Sequence, residues 1–100
     1  MNKINIYDRH SGKKDHFVLD AKITDEGDLV LEGFDIGDFV KEYWGDSDYE
    51  YWLTIKAEHL SALLLHLIKE CFDKKIFTND SEFNEWLKEK SIPSEFSSWV

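Results

Sequence analysis

Between His16 and Thr24 the side chains alternate: Phe17, Leu19, Ala21 and Ile23 fall on one side, and His16, Asp20, Lys22 and Thr24 on the other, with Val18 among them. A period of two over this length predicts a half-buried strand, because successive side chains of an extended chain point to opposite faces. Asp25-Glu26-Gly27-Asp28 follows, a turn with a glycine to take positive φ, and Leu29 to Phe34 reads as the return strand. Residues 16–34 are therefore expected to form a β-hairpin. A second alternation runs from Tyr49 to Lys56, with Tyr49, Tyr51, Leu53 and Ile55 on one side and Glu50, Trp52, Thr54 and Lys56 on the other. Its aromatic and β-branched content supports a strand. A short strand is expected over Asn5-Ile6-Tyr7-Asp8, and a polar, locally basic turn over Arg9 to Asp15.

The helical periodicity lies elsewhere. Asp35 is placed to cap a helix whose apolar face would be Ile36, Phe39, Val40, Tyr43 and Trp44, with Gly45 as its stop. From Ala57 to Asp73, Leu60, Leu63, Leu64, Leu67, Ile68 and Cys71 occupy one broad arc, and Glu58, His59, His66, Lys69, Glu70 and Asp73 lie opposite. Asn79 with Glu82 three residues on is a capping pair for a last helix that would bury Phe83, Trp86 and Leu87 and end at Ser91-Ile92-Pro93. In the tail, Phe96 and Trp99 can dock the terminus. The expected fold class is α+β: one domain over residues 1–100, with a small antiparallel sheet of three or four strands and two main helices packed on one side.

Charge narrows the function. From Phe17 to Glu50 stand eleven carboxylates against two lysines, which matches the net −9 of the whole chain. Such a charge opposes binding to DNA, RNA or an anionic membrane, and suits a basic protein partner or mimicry of nucleic acid. No apolar run approaches the roughly 20 residues that a membrane helix needs. The residues Met1 to Ile6 do not resemble a signal peptide, and Cys71 is the lone cysteine, so the reducing cytoplasm is the expected setting.

Chemistry has few candidates. Asp46, Asp48, Glu50 and Trp52 alternate and would project from one face of an early-starting strand, as an acidic strip that orients a cationic partner and a tryptophan that anchors it. The other reading is a solvated loop leading into a strand whose tryptophan is covered. Asp38 and Glu42, at helical spacing, extend the candidate partner-binding set. The same residues fail as an EF-hand, since a loop starting at Asp46 places Tyr51 and Ala57 where Gly and Glu are required. His59 and His66 stand two helical turns apart, about 10 Å, too far to share a metal. His10 and His16 flank a loop with no cysteine or acidic cluster at ligand spacing, so no metal site is expected. No nucleophile elbow or phosphate loop is present, and Ser11-Gly12-Lys13-Lys14 lacks the first glycine of a P-loop. Neither catalysis nor a cofactor is expected.

Two segments, Gly45-Asp46-Ser47-Asp48-Tyr49-Glu50-Tyr51-Trp52 and the run from Glu85-Trp86-Leu87 to Phe96-Ser97-Ser98-Trp99, resemble segments of small acidic bacterial proteins, some of the toxin-immunity type. Together they cover under a third of the chain. The resemblance implies a small acidic binder that neutralises a cationic, nuclease-like toxin, and it brings no catalytic residues. The alternatives are an inhibitor that mimics nucleic acid and blocks a defence nuclease, and a housekeeping domain that forms a homodimer through Phe96 and Trp99.

Overall fold

The computed structural model describes residues 2–12, 14–37 and 48–98. The fold is α+β. Four strands, β1 (Lys3–Ser11), β2 (Asp15–Ile23), β3 (Leu29–Ile36) and β4 (Asp48–Ile55), form one antiparallel sheet in the order β1-β2-β3-β4. A 3₁₀ turn (Ala57–His59) leads into helix α1 (Leu60–Asp73), and α2 (Asp80–Glu89) follows. The chain divides into two compact units, residues 1–61 and 62–100.

In the first unit, the 16–34 hairpin forms and extends by two cross-strand pairs at its open end, running from Ile23–Leu29 beside the turn to His16–Ile36. The turn closes through Thr24, whose backbone N–H donates to the Asp28 carbonyl at 2.9 Å and whose Oγ1 accepts the Asp28 N–H at 3.1 Å. Gly27 takes φ +87°, a conformation that a Cβ penalises. The Asp28 carboxylate then accepts the Ala57 N–H at 2.8 Å and pairs with Lys56 Nζ at 3.2 Å, tying the turn to the exit of β4.

The first strand is longer than expected. Lys3 and Ile4 at its start and Arg9, His10 and Ser11 at its end extend it to nine residues, and the turn shrinks to the stretch around Gly12, at φ +68°. Its pairing with β2 shifts register between Asn5 and Tyr7: Asn5 faces Asp20, Tyr7 faces Leu19, and Ile6 is the extra residue. This bulge resets the side-chain parity of the strand. Asn5 holds it in place. Its Nδ2 lies 3.2 Å from the Tyr7 carbonyl, 3.3 Å from the Leu19 carbonyl and 2.8 Å from Asp20 Oδ1.

Register then sorts the sheet into two faces. Ile4, Ala21, Leu31 and Leu53 form one cross-strand row, and Tyr7, Leu19, Gly33 and Tyr51 the next. The Tyr51 ring lies over Gly33, where an added Cβ would overlap three of its ring carbons. Its hydroxyl hydrogen-bonds to Tyr7, and that bond, with burial and the nearby Asp35 charge, pushes the Tyr51 pKa up to about 12.

Asp35 does not cap a helix. It pairs across the sheet with Phe17 and Tyr49, and Ile36 pairs with His16 and Asp48, so both residues belong to β3. The ladder satisfies the backbone groups that a helix start would leave open. Asp35 Oδ1 is buried and has no hydrogen-bond partner among the described residues, and burial raises the carboxyl pKa. Phe39, Val40, Tyr43, Trp44 and Gly45, the rest of the expected helix, lie outside the described residues.

In the second unit, both helices end in the same way. Ile76 N–H donates to the Cys71 carbonyl and Lys75 N–H to that of Phe72; Ile92 and Ser91 repeat the pattern on Leu87 and Lys88. These are Schellman ends, with Lys75 (φ 58°) and Ser91 (φ 57°) in the left-handed position that glycine usually fills. Asn79 caps α2 as expected, accepting the Glu82 N–H at 3.0 Å. The Glu82 carboxylate reaches one residue further back, to the Thr78 N–H at 2.9 Å and the Thr78 hydroxyl at 2.7 Å. Phe77 is buried within a ring cluster, its centroid 6.0 Å from Phe72, 5.3 Å from Phe83 and 5.8 Å from Trp86. In the tail, the Ser94 hydroxyl donates to Asn84 Oδ1 at 3.1 Å, whereas Phe96 stays 72% exposed and so is not docked. Trp99 lies outside the described residues.

Two measurements test this account. Gly33→Ala forces the Tyr51 ring off the sheet and is expected to cost about 2 kcal/mol in denaturant unfolding, within the range for overpacking. Asp35 favours its protonated form in the folded state, so its contribution is complete below the ordinary carboxylate range and is lost as pH rises through the raised pKa. Asp35→Asn is therefore expected to stabilise the protein at pH 7 and to give no gain at pH 3, read as the difference in denaturant midpoint.

Candidate functional site

The face of the sheet opposite Tyr51 carries the candidate residues. Asp48, Glu50 and Trp52 occupy alternate positions of the edge strand β4 and project together, opposite Ile36, Phe34 and Glu32 of β3. Trp52 is 58% exposed, so it is not covered as the alternative reading required. The other expected members, Asp38, Glu42 and Asp46, lie outside the described residues.

The charges on this face differ in their surroundings. Glu32, beside Trp52 by register, accepts the indole Nε1–H at 3.4 Å and pairs with Lys22 at 3.3 Å. These donors, the indole first, hold its carboxyl below the usual glutamate value. Asp20 pairs with Lys3 at 3.5 Å. Among the described residues, neither Asp48 nor Glu50 makes an ion pair. A shallow depression runs across the strands, lined by Lys3, Asp20 and Val18 as well as Glu32, Phe34, Glu50 and Trp52. Val18, Phe34 and Trp52 give it apolar patches, Glu32 and Glu50 line it with carboxylates, and the Lys3–Asp20 ion pair stands at the same depression.

At the far end of the same face, the structure brings together residues that the sequence reading kept apart. His10 of β1 and His16 of β2 are direct cross-strand partners, and Asp8 stands two residues before His10 on the same face. An acidic group is therefore at ligand spacing, contrary to expectation, because β1 runs on to Ser11 instead of ending at Asp8. Asp8 Oδ1 is 2.5 Å from His16 Nε2 and 3.8 Å from His10 Nε2. The two imidazole rings stack with centroids 4.1 Å apart. The signal available in the sequence is Asp8-x-His10, a turn, then His16, legible once the strand is extended.

Comparison with family models, curated proteins and solved structures found no match to this chain. The geometry of the face carries the functional argument.

The Glu32–Trp52 contact has a direct readout. The Trp52 indole N–H resonance should shift with pH along the titration of Glu32, with a midpoint below the ordinary glutamate value, and Glu32→Gln should abolish that titration. A midpoint at or above the ordinary value would contradict the contact.

Proposed function

We propose that the protein is a non-catalytic binding module that receives a basic protein partner on the polar face of its sheet, along β4. The observation that carries this reading is Trp52, exposed on an edge strand and framed by the Glu32 and Glu50 carboxylates, with Asp48 further along the same strand. Tryptophan supplies large apolar area at low entropic cost and dominates many interfaces, while rim carboxylates speed encounter with a cationic partner and set its orientation. Lysine or arginine side chains suit the depression beside it, their alkyl stems on Val18 and Phe34 and their charged heads at Glu50.

The finer reading is neutralisation of a cationic, nuclease-like toxin in the bacterial cytoplasm. It rests on the resemblance of segments 45–52 and 85–99 to segments of small acidic bacterial proteins, some of the toxin-immunity type, and on the match between an acidic face and the basic groove that a nuclease presents to phosphates. The test is co-purification with the product of the adjacent gene at physiological salt, followed by affinity measurement on variants. Trp52→Ala is expected to weaken binding by about 30-fold, the loss of a hot-spot residue worth roughly 2 kcal/mol. Asp48→Asn with Glu50→Gln is expected to slow association and flatten its salt dependence, leaving dissociation nearly unchanged. Unaltered binding in both variants would remove the strip from the interface.

A further inference from the structure

We propose that Asp8, His10 and His16 form a site for a borderline divalent transition-metal ion, zinc above all, at the hairpin end of β1 and β2. The site is independent of the β4 strip. One ligand atom from each residue lies within 4.8 Å of the other two. Two imidazole nitrogens and one carboxylate oxygen suit zinc and its neighbours, whereas magnesium and calcium prefer all-oxygen sets.

The distances fit with small movements. Tetrahedral ligands at about 2.0–2.1 Å from zinc stand roughly 3.3 Å from one another. The present contacts, 2.5 Å from Asp8 to His16 and 3.8 Å from Asp8 to His10, bracket that value. Side-chain rotation must open one, close the other and turn the two rings out of their parallel stack so that their lone pairs converge, while the backbone fixes the frame. His10 and His16 are paired across the ladder, and Asp8 lies one position along on the same face. A cross-strand pair places its Cβ atoms about 4.5–5.5 Å apart.

An ordinary surface ion pair would use one histidine. Here both imidazoles bring a ring nitrogen toward the same carboxylate oxygen, so one cation can be reached by all three groups. The side chains remain reachable from solvent, at 54% exposure for Asp8, 70% for His10 and 33% for His16. Arg9, next in sequence, is turned away, its guanidinium 4.3 Å from the centre of the Tyr7 ring. Asp48 shares the row His10–His16–Ile36–Asp48 but stands two strands from His16, about 10 Å away, so it is not a ligand. Three protein donors leave a fourth position for water or for a donor from a partner.

The experiment adds Zn²⁺ to the full chain after chelation and follows the histidine ring nitrogens by NMR. The expected result is saturation at one equivalent, with the His10 and His16 resonances shifting and those of His59 and His66 unmoved. His10→Ala and Asp8→Asn should each weaken binding at least about tenfold, and Trp52→Ala should leave it unchanged. The wild-type spectrum decides the matter even if a variant folds poorly. The proposal is overturned if binding does not saturate, if all four histidines shift alike, or if His10→Ala binds zinc as tightly as the wild type.

Discussion

A tyrosine ring laid over a glycine connects the two edges of this sheet. Tyr51 starts on β4, crosses β3 where Gly33 has no side chain, and reaches the hydroxyl of Tyr7 on β1. No other residue at position 33 leaves that lane open. The hydrogen bond spans three strand steps, so it can form only when β1, β2, β3 and β4 hold their observed registers together. A slip of one residue in any strand would turn its partners to the opposite face and break the bond. The same contact leaves the other side of β4 free to carry Glu50 and Trp52 outward.

The bulge at Ile6 gives β1 its part in this arrangement. Without the extra residue, Ile4 and Tyr7 could not face the same side, since residues three apart in a regular strand point in opposite directions. With it, Tyr7 joins the Leu19–Gly33–Tyr51 row, and Asp8 and His10 move to the polar face beside Asn5. Asn5 fills the hydrogen-bonding needs of the irregular backbone with its own amide. One inserted residue thus supports both the tyrosine pair on one face and the histidine pair on the other.

The parts of the fold legible in the sequence are those where one period holds without interruption. The 16–34 hairpin and the Tyr49–Lys56 alternation keep period two apart from Val18, Val30 and Phe34 on the polar side, and their faces in the structure follow it. The Asn79 cap is readable because its geometry is local to four residues. The length of β1 is not legible, because its bulge interrupts the alternation and Arg9, His10 and Ser11 beyond it are polar on both faces, like the turn that follows. Asp35 and Ile36 fit the opening of a helical pattern, but pairing on both sides overrides so short a signal. At the site, Asp48, Glu50 and Trp52 share a face by spacing alone. Glu32 beside Trp52, and Asp8 beside His16, depend on register, which spacing within one strand does not reveal.

The large negative charge is consequently less uniform in space than along the chain. Asp28 latches a turn, Asp20 and Glu32 are paired with lysines, and Asp35 is drawn into the apolar side, where its charge is disfavoured. Asp20, Asp28 and Glu32 contribute less field at a distance, since each has a lysine within a few ångströms. Asp48 and Glu50, on an edge strand, act on solvent more directly. A cationic partner would thus be drawn toward β4 rather than to the sheet at large, and salt would screen that attraction over roughly 8 Å at physiological strength. What holds the partner after encounter must then be short-ranged, and on this face the side chain with the area to do so is Trp52.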